Sequence, residues 1–359
     1  MKKQGDPKEI FGQRLAQARR MRGMSLRALA EATGGKITYN ALHRYELGQM
    51  MPGDDVLIAV ADALDQSLDF FFRPATVKLQ EIKFRKTSGL GVKSEDAIRE
   101  QALDFFERYH EIENILGLSA EFKDPLGQMR VDKPEDTETA AEKIRKEWKL
   151  GEDALPSVVE VLESKGTKVY EIEAPQHFNG FAGWTDGHPV IVLAKWLNCD
   201  IPRKRLTALH ELGHILLRTR VDLSHKEMEH YCYRFAGAML IPHKVFKADW
   251  GGFRHRVSLE ELIDLKRRYG ISIAAIMYRA NDLGLVDKAL YDHFQIVRKK
   301  KGWHQPGKEP GEYLGIEISS RFEQLVLRAA SEEVITRSKG AALLNEPVSS
   351  FSRKLGDFE

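Results

Sequence analysis

The stretch Leu206-Thr207-Ala208-Leu209-His210-Glu211-Leu212-Gly213-His214-Ile215-Leu216 decides the reading of the chain. Its apolar residues recur at helical spacing, which predicts an amphipathic helix from about Arg203 to Arg218. His210 and His214 stand four residues apart, so one helical turn brings both imidazoles to one face. Two imidazoles so placed can bind one zinc ion together. Glu211 lies beside the first, positioned as general base towards a water molecule that the metal acidifies. Leu206, Leu209, Leu212, Ile215 and Leu216 would bury most of the helix, leaving few reasons for two histidines other than ligation. The bland alternative, a chance match of five residues, is opposed by the acidic helix that follows.

A catalytic zinc takes three protein ligands and keeps one position open. The next helix, expected over Glu227 to Leu240 and stopped by Pro242, offers Glu227, Glu229 and His230. Glu229 shares a face with Tyr233, Ala236 and Leu240, next to the apolar stripe Met228, Cys232, Phe235 and Met239. Glu227 lines up instead with Tyr231, Arg234 and Ala238, nearer solvent. A carboxylate heading a buried stripe is costly unless paired or metal-bound, so Glu229 is the expected third ligand. Its plainer role would be a first-turn acid favoured by the helix dipole. Cys232, on the apolar face, reads as core rather than as a redox group.

Working outward, Thr137 to Trp148 and Pro156 to Lys165 read as helices. Thr167 to Ile172 and Phe181 to Leu193 read as strands, the latter broken by a turn at Asp186-Gly187. Ser258 to Tyr269, Ile273 to Leu283 and Ala289 to Val297 continue the helical pattern. A basic run, Arg298 to Lys301, reads as a solvated helix end before the Gly/Pro-rich stretch 302–315. Residues 320–345 are again helical, with no signal of what they pack against.

Ala208 to Leu217, followed by Glu229-x-x-Cys232-x-x-Phe235-Ala236-x-x-Leu240-Ile241-Pro242, resembles the ImmA/IrrE family of metallopeptidases. Phe178-Asn179-Gly180-Phe181-Ala182-Gly183-Trp184 and Val190 to Leu193 resemble that family's strand segment before its active helix. The resemblance covers about 137–300. It implies a zincin-like fold and a gluzincin-like site of His210, His214 and Glu229 with Glu211 as catalytic base. It also implies regulated cleavage of a protein partner, typically a transcriptional repressor. Where the family often has Ala-Asn before its Arg-Phe-Ala, this chain has Cys232-Tyr233. Tyr233 and His225 are candidates for steadying an oxyanion.

Towards the N-terminus, residues 8–72 look all-helical. Ser25 is a good N-cap for Leu26 to Ala32, and a third helix runs from about Thr38 to Leu47. Met24 to Ala30 and Ala41 to Gly48, with Pro52 and the helix carrying Leu57 and Leu64, resemble the XRE family of helix-turn-helix domains over about 9–72. The resemblance implies a third helix in the major groove of double-stranded DNA, presenting Thr38, Tyr39, Asn40, His43 and Arg44. Asn40 suits adenine and Arg44 guanine. Such domains usually bind as dimers, so a homodimer is expected. The first fifty residues carry ten Lys/Arg against four acids, although the whole chain has a net charge of only +2, so any phosphate-binding surface is local. A helical bundle used only for dimerisation is the bland alternative.

The two cysteines give no disulfide framework. With no apolar leader and no run of about 18 apolar residues, a cytoplasmic protein without membrane association is expected. The expected fold is α+β and mostly helical. Residues 1–75 form a five-helix helix-turn-helix domain and 76–136 a helical linker, with a short strand at Val77 to Ile82 and one helix over Lys93 to Leu118. Residues 137–300 form the metallopeptidase domain, with a small mixed sheet on the His-bearing helix, and 301–359 a helical extension. The expected function is a DNA-binding regulator with zinc-dependent endopeptidase activity on a repressor or antitoxin-like protein. Manganese is a possible substitute in vitro. The alternative is a transcription factor whose second domain only senses or dimerises.

Overall fold

The computed structural model describes residues 6–74, 77, 79–84, 90–118, 122–220 and 223–356. In chain order the first elements are α1 (Pro7–Met21), α2 (Leu26–Ala32), α3 (Tyr39–Glu46), α4 (Asp54–Leu64), β1 (Leu79–Phe84) and α5 (Val92–Ile115). Then come α6 (Asp136–Glu147), α7 (Val158–Ser164), β2 (Lys168–Ile172), β3 (Gly180–Thr185), β4 (His188–Ala194), α8 (Ile201–Leu216) and α9 (His225–Leu240). The remainder is helical: α10 (His243–Trp250), α11 (Leu259–Tyr269), α12 (Ile273–Asp282), α13 (Lys288–Lys300), α14 (Arg321–Ser331), α15 (Arg337–Leu344) and α16 (Val348–Lys354). The fold is α+β and mostly helical. Its described residues form two compact units. One gathers the chain up to Leu79 with 90–118 and 322–356; the other gathers 80–84 with 122–321.

In the first unit, side-chain caps start the short helices. Ser25 Oγ accepts from Ala28 N at 3.1 Å and Thr38 Oγ1 from Ala41 N at 3.2 Å, each satisfying a donor that the helix leaves open. The fifth helix expected here is a short 3-10 turn, Leu68–Phe72. Phe11, Leu15, Leu29, Leu42, Val60, Leu64 and Phe71 make the core. Helix α5, read from sequence as a linker, packs against α1 in this unit. Arg14 of α1 is buried and pairs with Glu107 of α5 at 2.6 Å. Burial nevertheless pushes the Glu107 carboxyl up, against the pull of Arg14. Phe322 of α14 packs on Phe105 and Tyr109 of α5, with ring centroids 4.9 and 5.3 Å apart. Of the sequence-expected strand at Val77 to Ile82, Lys78 lies outside the described residues; β1 begins at Leu79.

In the second unit the sheet order is β1-β3-β4-β2. Strands β3 and β4 are antiparallel, while β2 and β4 run parallel. The β3–β4 hairpin turns through Asp186 (φ 47°) and Gly187 (φ 79°), the pair of positive angles that a two-residue type I′ loop requires. Every residue from Pro189 to Ala194 is buried, and α8 lies against β3 and β4. Leu209, Leu212, Phe235, Met239 and Ile276 continue this core behind the sheet. Helix α10 starts directly after Pro242, a residue that also ends α9.

The segment after α13 forms a strap held by buried carboxylates. Glu317 is paired with the fully buried Arg205 of α8. It also accepts from the N–H groups of Val158 and Val159, each at 2.9 Å, and so caps α7. Glu163 of α7 accepts from Ser319 Oγ at 2.7 Å, and burial raises its carboxyl to about 7. The folded chain therefore keeps a proton that the unfolded chain has released between about pH 4.5 and pH 7. Stability falls as pH rises through that window, by on the order of 3 kcal/mol. Glu163→Gln, which stays neutral, should flatten this dependence. The check is thermal unfolding of both proteins at about pH 5 and about pH 8, with a larger drop in midpoint expected for the wild type.

Candidate metal centre and nucleic-acid interface

Helix α8 is started by Asp200, whose carboxylate accepts from Arg203 N at 3.3 Å, and Pro202 sits in its first turn, where a missing N–H costs nothing. Its last two turns carry His210, Glu211 and His214. Helix α9 is started by a capping box: Ser224 accepts from Glu227 N, and Glu227 accepts from Ser224 N at 2.9 Å. Glu227 is thereby committed to the cap, and hydrogen bonding from the Ser224 hydroxyl holds its carboxyl low. Glu229, two residues on, faces α8.

The nitrogen and oxygen atoms converge. His214 Nε2 lies 3.1 Å from His210 Nε2 and 3.1 Å from Glu229 Oε1. His210 Nε2 lies 3.5 Å from Glu229 Oε2. One ligand atom from each of the three residues falls within 4.8 Å of the others, a set able to hold a metal ion. His210 and Glu211 are each 1% exposed and His214 8%, whereas the Glu229 side chain is 18% exposed. The cluster is thus buried on the α8 side and open beside Glu229.

Around these donors, Cys232 Sγ lies 3.5 Å from His214 Nδ1. Cys232 is fully buried in the core, as read from sequence, and it also touches a histidine of the cluster, a contact the sequence did not reveal. The Tyr233 ring lies against the His210 ring, with centroids 4.2 Å apart. His225 is exposed at the start of α9. His230 faces away, with Nδ1 2.6 Å from the Tyr278 hydroxyl and Nε2 3.5 Å from Asp282. Burial pushes the Tyr278 phenol up to about 12 and raises the Asp282 carboxyl.

In the N-terminal unit, Leu42 and Tyr45 of α3 point into the core while Thr38, Tyr39, Asn40, His43 and Arg44 are all exposed. Tyr39 and His43 stack at 6.3 Å, and Arg27 of α2 stands over the Tyr39 ring at 5.9 Å. Arg27 therefore joins this surface. The sequence places it in the basic surplus and in the Met24 to Ala30 motif, but not among the residues expected to face DNA. On the opposite side, Arg19 grips Glu46 through two bonds of 2.6 and 2.9 Å, which anchors α3 to α1.

Comparison with known proteins accords with both regions. Residues 15–71 match the family model described as helix-turn-helix, and residues 162–281 match the one described as IrrE N-terminal-like domain. An XRE-type helix-turn-helix domain and an IrrE/ImmA-like peptidase-family domain are thus joined in one chain. No curated protein matches it. The apo form of the competence regulator ComR from Streptococcus vestibularis aligns over 98% of this chain and 94% of that chain. Its identity is 12% and its TM-score 0.18, too low to establish a shared fold. No described helix is long and apolar enough to cross a membrane.

The approach of α8 to α9 rests on Gly213. A β-carbon there would meet Phe235 Cδ1 at 3.1 Å and Cys232 Sγ at 3.2 Å. Gly213→Val should force the helices apart, destabilising the protein by about 1–3 kcal/mol and weakening metal retention. Thermal unfolding with and without added zinc reads both effects; a wild-type midpoint and an unchanged zinc-induced shift would show that the close approach is not limiting.

Proposed function

We propose that the chain is a DNA-binding transcriptional regulator that is also a zinc-dependent endopeptidase, cutting a repressor or antitoxin-like protein. One observation carries the enzymatic half: the convergence of His210 Nε2, His214 Nε2 and a Glu229 oxygen, with separations of 3.1, 3.1 and 3.5 Å, beside a buried Glu211. Zinc bonds to nitrogen and oxygen of about 2.0–2.2 Å in tetrahedral array put neighbouring donors about 3.3 Å apart, so the donor set fits. Two histidines and one glutamate are the ligand set of catalytic rather than closed structural sites. Bound there, zinc would supply Lewis acidity towards a water molecule and a peptide carbonyl. Glu211 would take the proton from that water and pass it to the leaving amine. His214 is steadied by Cys232 and His210 by Tyr233, contacts that limit ring rotation and keep both nitrogens aimed inward. The partly exposed Glu229 edge is the side from which a polypeptide substrate would approach.

The test begins with elemental analysis. One zinc per chain is expected in the wild type and in Glu211→Gln, with loss in His214→Ala and in Glu229→Ala. Cells expressing the wild type should then show new protein N-termini that are absent with Glu211→Gln. A wild type that holds no zinc after zinc is supplied sinks the peptidase reading. Zinc binding without any cleavage that depends on Glu211 favours a sensing or dimerising domain instead.

For the DNA-binding half, the support is the exposed row from Thr38 to Arg44 on a helix whose other face is locked into the core. A homodimer reading two half-sites fits such domains. On sites selected by the wild type from random duplexes, Asn40→Ala and Arg44→Ala should each cost about 1–3 kcal/mol and relax the preference at one base position. Arg27→Ala should weaken binding evenly across sequences. Competition gel shifts separate the two patterns, and equal losses on all sequences for Asn40→Ala would refute its role in base reading.

A further inference from the structure

The walls of α8, α9, α12 and α13, with the start of the strap, enclose a cavity of about 390 Å³. At about 30 Å³ per water-sized group, it holds about a dozen heavy atoms, within the range of small-molecule sites. Neither Glu211 nor any of the three metal-donor residues lines it, but Tyr233, whose ring lies against His210, does.

Four arginines line the cavity, and three have partners. Arg279 grips Glu138 through bonds of 2.9 and 2.8 Å. Arg234 pairs with Asp282 at 2.9 Å. Arg203 donates to Asn179 Oδ1 at 3.1 Å and stacks over Trp196. Arg298 is different. Like those of Arg234 and Arg279, its Nε is buried with no hydrogen-bond partner, but unlike them it forms no ion pair among the described residues.

The acids of the cavity do not compensate it, because each is engaged elsewhere. Asp200 caps α8 and Asp282 holds Arg234. Glu309 accepts from Ile273 N at 2.7 Å and Ala274 N at 2.9 Å and pairs with Lys266 at 3.3 Å. What remains is one guanidinium, partly desolvated, in a wall that also carries Trp303 and Tyr291. A buried donor on a cation left unpaired is costly, and an anion entering the cavity would satisfy it. Guanidinium groups take carboxylate and phosphate oxygens through paired bonds, and aromatic walls favour a planar body.

We propose that this cavity is a binding site for a small organic anion, a carboxylate or phosphate head on a planar apolar body, with Arg298 holding the head. The site is separate from the metal centre and stands whether or not the chain cleaves anything. The walls of the cavity and the His210 ring meet at Tyr233, so an occupant sits next to the metal centre without using its donors.

Calorimetric titration of the full chain with benzoate, phenyl phosphate and the neutral benzamide tests this. At least one of the two anions should bind saturably, one per chain, with benzamide at least about tenfold weaker. Arg298→Gln should weaken the anion by a similar factor without lowering the unliganded unfolding midpoint or changing the zinc content. Binding should also perturb indole fluorescence in the wild type and not in Trp303→Phe. The preferred anion identifies the head group. Absence of saturable binding by both anions at millimolar concentration overturns the proposal, and so does equal affinity for benzamide or an affinity that Arg298→Gln leaves intact.

Discussion

Position 213 has room for a hydrogen and for little else: a β-carbon there would lie 3.1 Å from Phe235 Cδ1, 3.2 Å from Cys232 Sγ and 3.3 Å from Cys232 Cα. The geometry of the donor cluster follows from that closeness. His210 and His214 are fixed to one another by a single turn of α8, but Glu229 comes from a second helix, and its oxygens reach the imidazoles at 3.1 and 3.5 Å only because α9 comes so close. A glycine inside a helix costs about 0.5–1 kcal/mol relative to alanine. Here that cost is set against the packing of Phe235 and Cys232 onto α8, and Cys232 in turn meets His214.

Closeness alone would not keep the two helices in register, and each is braced from its far side. Arg145 of α6 donates to Met239 O at 2.5 Å near the end of α9. Glu138, on the same helix α6, holds Arg279 of α12, while Arg234 of α9 holds Asp282 of α12. Helix α8 is braced by Arg205 and Lys204, both fully buried, which meet the strap at Glu317. Buried pairs of this kind add little net stability, since desolvation offsets their attraction, but losing one partner strands a charge at a cost of about 3–5 kcal/mol. Their effect is to make other helix placements expensive.

The parts legible in the sequence are those whose cause is local. The spacing of His210 and His214, the stripe that turns Glu229 inward, the Ser25 cap and the Asp186-Gly187 turn all depend on residues within a few positions of one another. Helix α10 escapes the sequence reading because Pro242 signals a stop, yet proline is equally suited to begin a helix, and here it stands immediately before one. The placement of α5 was out of reach for another reason. Its apolar stripe (Ala97, Ala102, Phe105, Tyr109, Ile112 and Leu116) marks one helix but names no partner, and the burial of Glu100, Asp104, Glu107 and Arg108 is explained only by partners such as Arg14, 93 residues from Glu107. The same holds for Arg205 and Glu317, separated by 112 residues. Unaided periodicity cannot pair charges across such distances.

Helix α9 is where these constraints meet. Glu229 and Cys232 face the α8 histidines, whereas Arg234 and Gly237, about a third of a turn round, face the cavity, and Tyr233 touches both sides. A helix is stiff over this length, so α9 cannot rotate or slide to suit one side without displacing the other. Coupling between two sites needs an element that both of them bias, and α9 is the element that carries residues of both. Tyr233 is the residue the two sides share: it lines the cavity, and its ring centroid lies 4.2 Å from that of His210.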